Sequence, residues 1–171
     1  AEESIGGADA MIKAGAMENP KVNKTIGLHV NPSEETGTVT FCSGPINAAV
    51  DDFSCRIQGR QAHGAKPEEG VDSIVAAADI IMRLQTVVSR MTAPTNPVVI
   101  TIGQIHAGTA PNIIPDGVTL GGTLRALNNE TLDFLRYKTE ETAKSTAAFY
   151  GAKAEFLWMN TPFPPLINLS L

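Results

Sequence analysis

Apolar positions change their spacing several times along this chain, and each change marks a new element. Phe53, Cys55 and Ile57 alternate with Ser54, Arg56 and Gln58, as a half-buried strand requires. The run VDSIVAAADIIMRLQTVVSRM (71–91) then switches to helical spacing. Ile74, Ala78, Ile81, Leu84, Val88 and Met91 share its stripe, with Asp72 placed to cap. After the breaker APTNP, alternation returns in VVITIGQIHAG (98–108) and in VTLGGTLRAL (118–127), where Val118, Leu120, Gly122, Leu124 and Ala126 lie on one face. Both runs are long enough to pair antiparallel. Asn129 or Thr131 opens a second helix that Gly151 stops, and AKAEFLWMN (152–160) supplies a last strand with Ala154, Phe156 and Trp158 inward.

The order from Asp51 to Asn160 is therefore β-α-β-β-α-β, which predicts a ferredoxin-like sandwich: a four-stranded antiparallel sheet with two helices on one face. Arg125 lies between the inward Leu124 and Ala126, so it points to the uncovered face. Ahead of this unit, Ile5, Ala8, Met11 and Ile12 predict a short helix over 5–17 with Ser4 as its N-cap. TIGLHV (25–30) and GTVTFC (37–42) predict two brief strands. These elements are too small to bury a core and are expected to belong to a larger α/β domain. The final TPFPPLINLSL has three prolines and no charge, and is expected to return the chain to that same domain.

Totals narrow the function classes. The chain has 171 residues, room for one full core and a piece of another domain. Its net charge is −5 and its thirteen Lys and Arg are scattered, so no basic stripe serves a phosphate backbone. The central strands also lack the stacking aromatics of RNA-binding sheets. No apolar run is long enough to span a bilayer. Cys42 and Cys55 form no CxxC pair, which suits a reducing cytoplasm. The opening AEESIGGADAMIKAGAM is acidic where a secretory signal is basic, and the natural start is expected upstream.

Three histidines narrow the chemistry. In QAHGAKPEEGVD (61–72), Gly64 and Pro67 impose a turn that aims His63 outward from the end of a strand. The plain alternative is a strand-end ring bonded to a nearby carbonyl. Asn112, in GTAPNIIPD, lies in a loop between two strands, where asparagine is ordinarily a turn former. Glu2 and Glu3 are adjacent, and His29 ends an apolar stretch. By residue type alone these are a solvated turn and a packed ring. His106, in QIHAGTA, reads as polar lining or as a strand-end residue, the second being the simpler.

Taken in order, AEESIGGADAMIKAG, TIGLHV, GRQAHGAKPEEGVD, SIVAAADIIMRLQTVVSR, IGQIHAGTAPNIIPD and GGTLRAL resemble the metal-dependent amidohydrolases and peptidases. That group includes hippurate hydrolases, auxin-conjugate hydrolases, aminoacylases and carboxypeptidase G. The resemblance implies that Glu2 is a general base, that Glu3 and His29 are metal ligands, and that the complete enzyme holds two divalent ions, Zn or Mn. It implies that His63 binds the reacting carbonyl, often in a partner subunit's site, and that Asn112 and Arg125 hold the substrate's carboxylate end. It also implies a βαββαβ lid that builds a homodimer, and an N-acyl amino acid or similar small amide as substrate. By this resemblance 1–47 is part of a metal-binding catalytic domain, 48–160 the lid, and 161–171 the return.

The departures from the family pattern are a missing Cys-Gly-His-Asp metal motif before Glu2, a missing C-terminal histidine ligand, and Glu68 where relatives carry histidine. This chain alone is therefore expected to be inactive. The alternative reading is a non-catalytic ferredoxin-like module that self-associates through a sheet edge or helix face.

Overall fold

In chain order the elements are α1 (Gly7–Lys13), β1 (Gly44–Asn47), β2 (Ala49–Gln58), β3 (Ala62–His63), α2 (Ser73–Met91), β4 (Val98–Ala107), β5 (Ile113–Ile114), β6 (Gly117–Ala126), α3 (Asn129–Phe149), β7 (Lys153–Trp158) and β8 (Leu166–Asn168). The structure, a computed structural model, describes residues 7–41, 43–158 and 166–168. Ser4, Glu2 and Glu3 lie outside the described residues. The chain divides into two units, Ala1–Phe41 and Cys42–Leu171.

The second unit is built on an antiparallel sheet of order β4-β6-β2-β7. That is the split βαβ arrangement, with each helix crossing over between parallel strands that have an antiparallel strand between them. Strict alternation on β2 buries Ala49, Asp51, Phe53, Cys55 and Ile57, and β6 buries Val118, Leu120, Leu124 and Ala126 on the same side. Both helices pack there, contributing Ile80, Leu84 and Val87 from α2 and Leu132, Leu135 and Ala147 from α3. Each large side chain fully removed from water contributes about 1.5–3 kcal/mol.

Helix starts follow capping chemistry. The Asp72 carboxylate accepts from the amides of Ile74 and Val75, and the Asn128 side chain accepts from Thr131. The α3 cap is thus Asn128, one residue before the expected opening. Gly151, at φ 75°, closes that helix in the left-handed region.

The buried face of α2 differs from the stripe the spacing predicts. It runs through Ser73, Ala76, Ala77, Ile80, Leu84 and Val87, with Ile81 and Val88 at its margin. Ile74 and Met91 are exposed. The pattern misleads because α2 is apolar on its outer side too. Met82 is 68% exposed there, and Ile105 on the neighbouring edge strand β4 is 58% exposed.

Asp51 is the one charged group buried on the core face among the described residues. Burial pushes its carboxyl above the ordinary range, and Arg136, with Nε 3.1 Å from Oδ2, pulls the other way. The Arg136 guanidinium also lies 4.8 Å from the centre of the Trp158 ring. The Cys55 thiol is pushed up to about 12, first by burial and then by Glu140, so it is an inert packing group.

In the first unit, α1 is shorter than the expected 5–17 helix. The strands predicted at 25–30 and 37–42 are not formed: residues 22–41 contain neither helix nor strand. Ile26, Leu28, Val30 and Phe41 are exposed. These segments have β-forming side chains but no partner strand among the described residues, and an unpaired strand does not form a ladder. Four short strands were not foreseen. β1 pairs with β8, and β3 with β5. No helix of the described residues is long and apolar enough to cross a membrane.

Candidate substrate-facing site

At the end of the sheet where β2 finishes, the chain folds back on itself over residues 59–71. Gly59 donates to the Asp116 carbonyl at 2.8 Å, and Arg60 and Val71 exchange backbone bonds of 3.0 and 2.9 Å. A Cβ on Gly59 would stand 2.3 Å from the Val71 carbonyl oxygen, so no larger residue fits. The Arg60 Nε donates to the Glu69 carbonyl at 3.1 Å, and Lys66 pairs with Glu69 at 3.0 Å. The Ser73 hydroxyl donates to the Pro115 carbonyl at 2.8 Å, fixing the start of α2 to the turn between β5 and β6.

On this clamp β3 pairs with β5 as Ala62 with Ile114 and His63 with Ile113. Gly64 donates to the Asn112 carbonyl at 2.7 Å. The ladder therefore sets His63 beside Asn112, although 49 positions separate them in sequence (112 − 63). Both side chains are exposed, and among the described residues the Asn112 amide has no hydrogen-bond partner.

The two candidate histidines are held in opposite proton arrangements. His63 Nδ1 lies 3.0 Å from the amide of Ala65, which donates to it. Its lone pair is thus engaged and its proton sits on Nε2, the outward nitrogen. Such a ring is a hydrogen-bond donor, the form that suits a carbonyl or oxyanion oxygen. His29 Nδ1 lies 2.8 Å from the Val30 carbonyl oxygen, which only accepts. In the neutral ring that bond puts the proton on Nδ1 and leaves the Nε2 lone pair free, the arrangement a metal ligand needs.

A metal centre needs more than one such ring. Among the described residues no three His, Cys, Asp or Glu side chains converge. The described part of this chain does not by itself build a metal centre, and Glu3 is outside it.

Arg125 lies elsewhere. It is on the uncovered face, in register with Val50 and Val99, and has no hydrogen bond or ion pair among the described residues. Gly117, at the His63 end, pairs with Gln58. Eight positions of β6 separate the two (125 − 117), roughly 26 Å of strand. Arg125 therefore lies most of a strand length from the turn that carries His63. Glu68 sits exposed in the 3-10 turn Pro67–Glu69.

The alternation of β2 and β6 also puts Arg56 and Thr119 on the uncovered face, in register with each other and with His106. From the sequence Arg56 carries no signal, and His106 reads as a strand-end residue in preference to polar lining. Each looks like an ordinary polar position until the pairing sets them abreast.

The second unit is thus a βαββαβ sandwich with both helices on one face of its sheet. The M20 peptidase dimerisation domain matches residues 49–150. The chain belongs to the M20 family of metallopeptidases and amidohydrolases. It is 37% identical over 168 residues to the N-acetyl-L-cysteine deacetylase of Bacillus subtilis (strain 168), covering 98% of this chain and 40% of that protein. With the IAA-amino acid hydrolase ILR1-like 4 of Arabidopsis thaliana it shares 36% identity over 171 residues, 98% of this chain and 38% of that one. Among solved structures, the Bacillus subtilis YXEP protein, a dinuclear metal binding peptidase from the M20 family, superimposes with a TM-score of 0.74 at 33% identity. That match covers 98% of this chain and 40% of the other. The chain thus spans about two fifths of the length of the relatives it matches.

Proposed function

We propose that this chain is the lid, with adjoining parts of the catalytic domain, of an amidohydrolase that cleaves N-acyl amino acids or similar small amides. The observation that carries this reading is the reach of the match: a deacetylase of an N-acyl amino acid aligns over 98% of the chain, not over the sandwich alone. The β1–β8 ladder supports the domain division into 1–47, 48–160 and 161–171, because the segments flanking the sandwich pair with each other outside its sheet.

In this reading Glu2 is the general base, Glu3 and His29 contribute to binding two divalent ions in the complete enzyme, and the compartment is the cytoplasm. The outward Nε2–H of His63 donates to the substrate carbonyl oxygen and holds it as negative charge develops. Asn112 offers a free amide beside it, and Arg125 binds a carboxylate through its planar fork. Since Arg125 stands toward one end of the four-stranded sheet and His63 on the ladder past its other end, they serve one substrate if they come from different subunits.

The structure offers a surface for such a pair. β4 is an edge strand with one side of its backbone unpaired, and the apolar outer side of α2 lies next to it. The other edge, β7, is flanked by α3, whose surface carries the Lys138–Glu141 and Lys144–Glu140 ion pairs. Two copies joined β4 to β4 form one continuous sheet about a two-fold axis.

The test is His63→Ala in the complete enzyme with hippurate as substrate. Turnover is expected to fall by roughly a hundredfold or more, as when one oxyanion donor is lost, with dimer and metal content unchanged. Equal turnover removes His63 from the reaction. A second reading is a non-catalytic self-association module, which the unpaired edge of β4 and the apolar outer side of α2 would serve equally. A stable dimer with no stoichiometric zinc and no hydrolysis selects it.

A further inference from the structure

We infer that the open groove walled by Arg56 and His106 is a carboxylate-binding subsite, separate from Arg125. It deepens the amidohydrolase reading, on which it rests for the identity of its ligand: an anionic group on the substrate, bound at the His63 end of the sheet.

Thr119 pairs with Arg56 on one side and with His106 on the other, so three polar side chains stand abreast on the uncovered face, with strands about 4.8 Å apart. They border a groove of about 440 Å³ that also takes in Gln61, Asp116 and Ile113. Ile113 is the strand partner of His63. A ligand anchored here therefore lies next to the clamped turn, whereas Arg125 is most of a strand length away.

The cation is held in place. Arg56 donates from Nε and Nη2 to Gln58 Oε1 at 3.2 and 3.1 Å, and Gln58 Nε2 donates onward to the Asp116 carbonyl at 2.8 Å. Two of the five guanidinium N–H groups are used, and three remain for a ligand. None of the ion pairs among the described residues involves Arg56. A fixed fork with spare donors, beside an imidazole and a hydroxyl, fits the two oxygens of a planar carboxylate.

The experiment titrates the isotopically labelled 171-residue chain with glutarate and, separately, with the uncharged glutaramide, reading backbone and side-chain NMR signals. Glutarate is expected to move the signals of Arg56, Thr119 and His106, and glutaramide to leave them in place. Arg56→Gln is expected to weaken glutarate binding roughly tenfold, the loss of a charge-assisted pair. Equal responses to the two compounds, or unweakened binding by natively dispersed Arg56→Gln, overturn the proposal. Should that variant lose its native spectrum, His106→Ala reads the opposite wall: weaker binding supports the subsite, and unweakened binding overturns it. Because binding and not hydrolysis is read, failure here leaves the His63 test standing, and failure there leaves this one standing.

Discussion

The amide of Gly64 donates to the carbonyl of Asn112 at 2.7 Å, and this bond sets the spacing between the two side chains proposed to meet substrate. A Cβ on Gly64 would lie 3.0 Å from that oxygen and 3.2 Å from its carbon. Gly64→Ala is therefore expected to push the two backbones apart by a few tenths of an ångström and to cost about 1–3 kcal/mol, in the manner of an overpacked contact. Urea denaturation measures the loss, and an unchanged midpoint would show that the close approach is not tight.

Asp72 satisfies two of the free amides at the start of α2, at 2.9 and 3.0 Å. Asp72→Ala is expected to destabilise the chain by about 1 kcal/mol. Asp72→Asn, which keeps the acceptor, is expected to recover most of that in the same denaturation experiment.

The single Trp158 reports on a carboxylate. Its Nε1–H donates to Glu140 at 3.1 Å, and the Lys144 bond, followed by this one, holds Glu140 below its ordinary 4.5. Since the folded value is the lower, ionised Glu140 stabilises the fold above that ordinary value. The contribution is lost as pH falls through the folded one. The indole N–H resonance is expected to shift with a midpoint below 4.5 and to stop responding in Glu140→Gln. A midpoint at or above the ordinary value contradicts the assignment. Asp51 works in the opposite direction: its folded value is raised, so stability falls as pH climbs from the ordinary 3.8 toward that higher value.

Self-association through β4 and α2 predicts that Met82→Glu and Ile105→Lys shift the chain toward monomer in sedimentation. Both side chains are exposed, so their replacement is expected to leave stability within about 0.5 kcal/mol. Leu157→Glu, at the exposed position on the other edge, is expected to change nothing. The reverse pattern assigns the interface to β7.

The sandwich was legible because its elements are long and one-sided. Phe53, Cys55 and Ile57 alternate, Asp72 and Gly151 punctuate, and the inward residues of β6 and β7 follow from a period of two. The α2 face was not legible, since Ile74 and Met82 are as apolar as Ile80 and Val87, and only burial distinguishes a core face from a partner face. Two-residue strands such as β3 and β5 carry no period at all. The pairing of His63 with Ile113 therefore emerges only once the clamp at Gly59 and Val71 is seen. Segments 25–30 and 37–42 show the converse, sequence that favours strands without a neighbour to complete them. The roles of His63, Asn112 and Arg125 came from family resemblance, while the placement of Arg125 toward one end of the four-stranded sheet, with His63 and Asn112 on a separate ladder past the other, needed the strand register.

The β1–β8 ladder gives the sandwich a single seam. Its entry and exit run side by side, so the four strands and two helices leave and rejoin the chain at one point. A unit closed in this way can be cut out and its ends joined by a short link without stretching the polypeptide on either side.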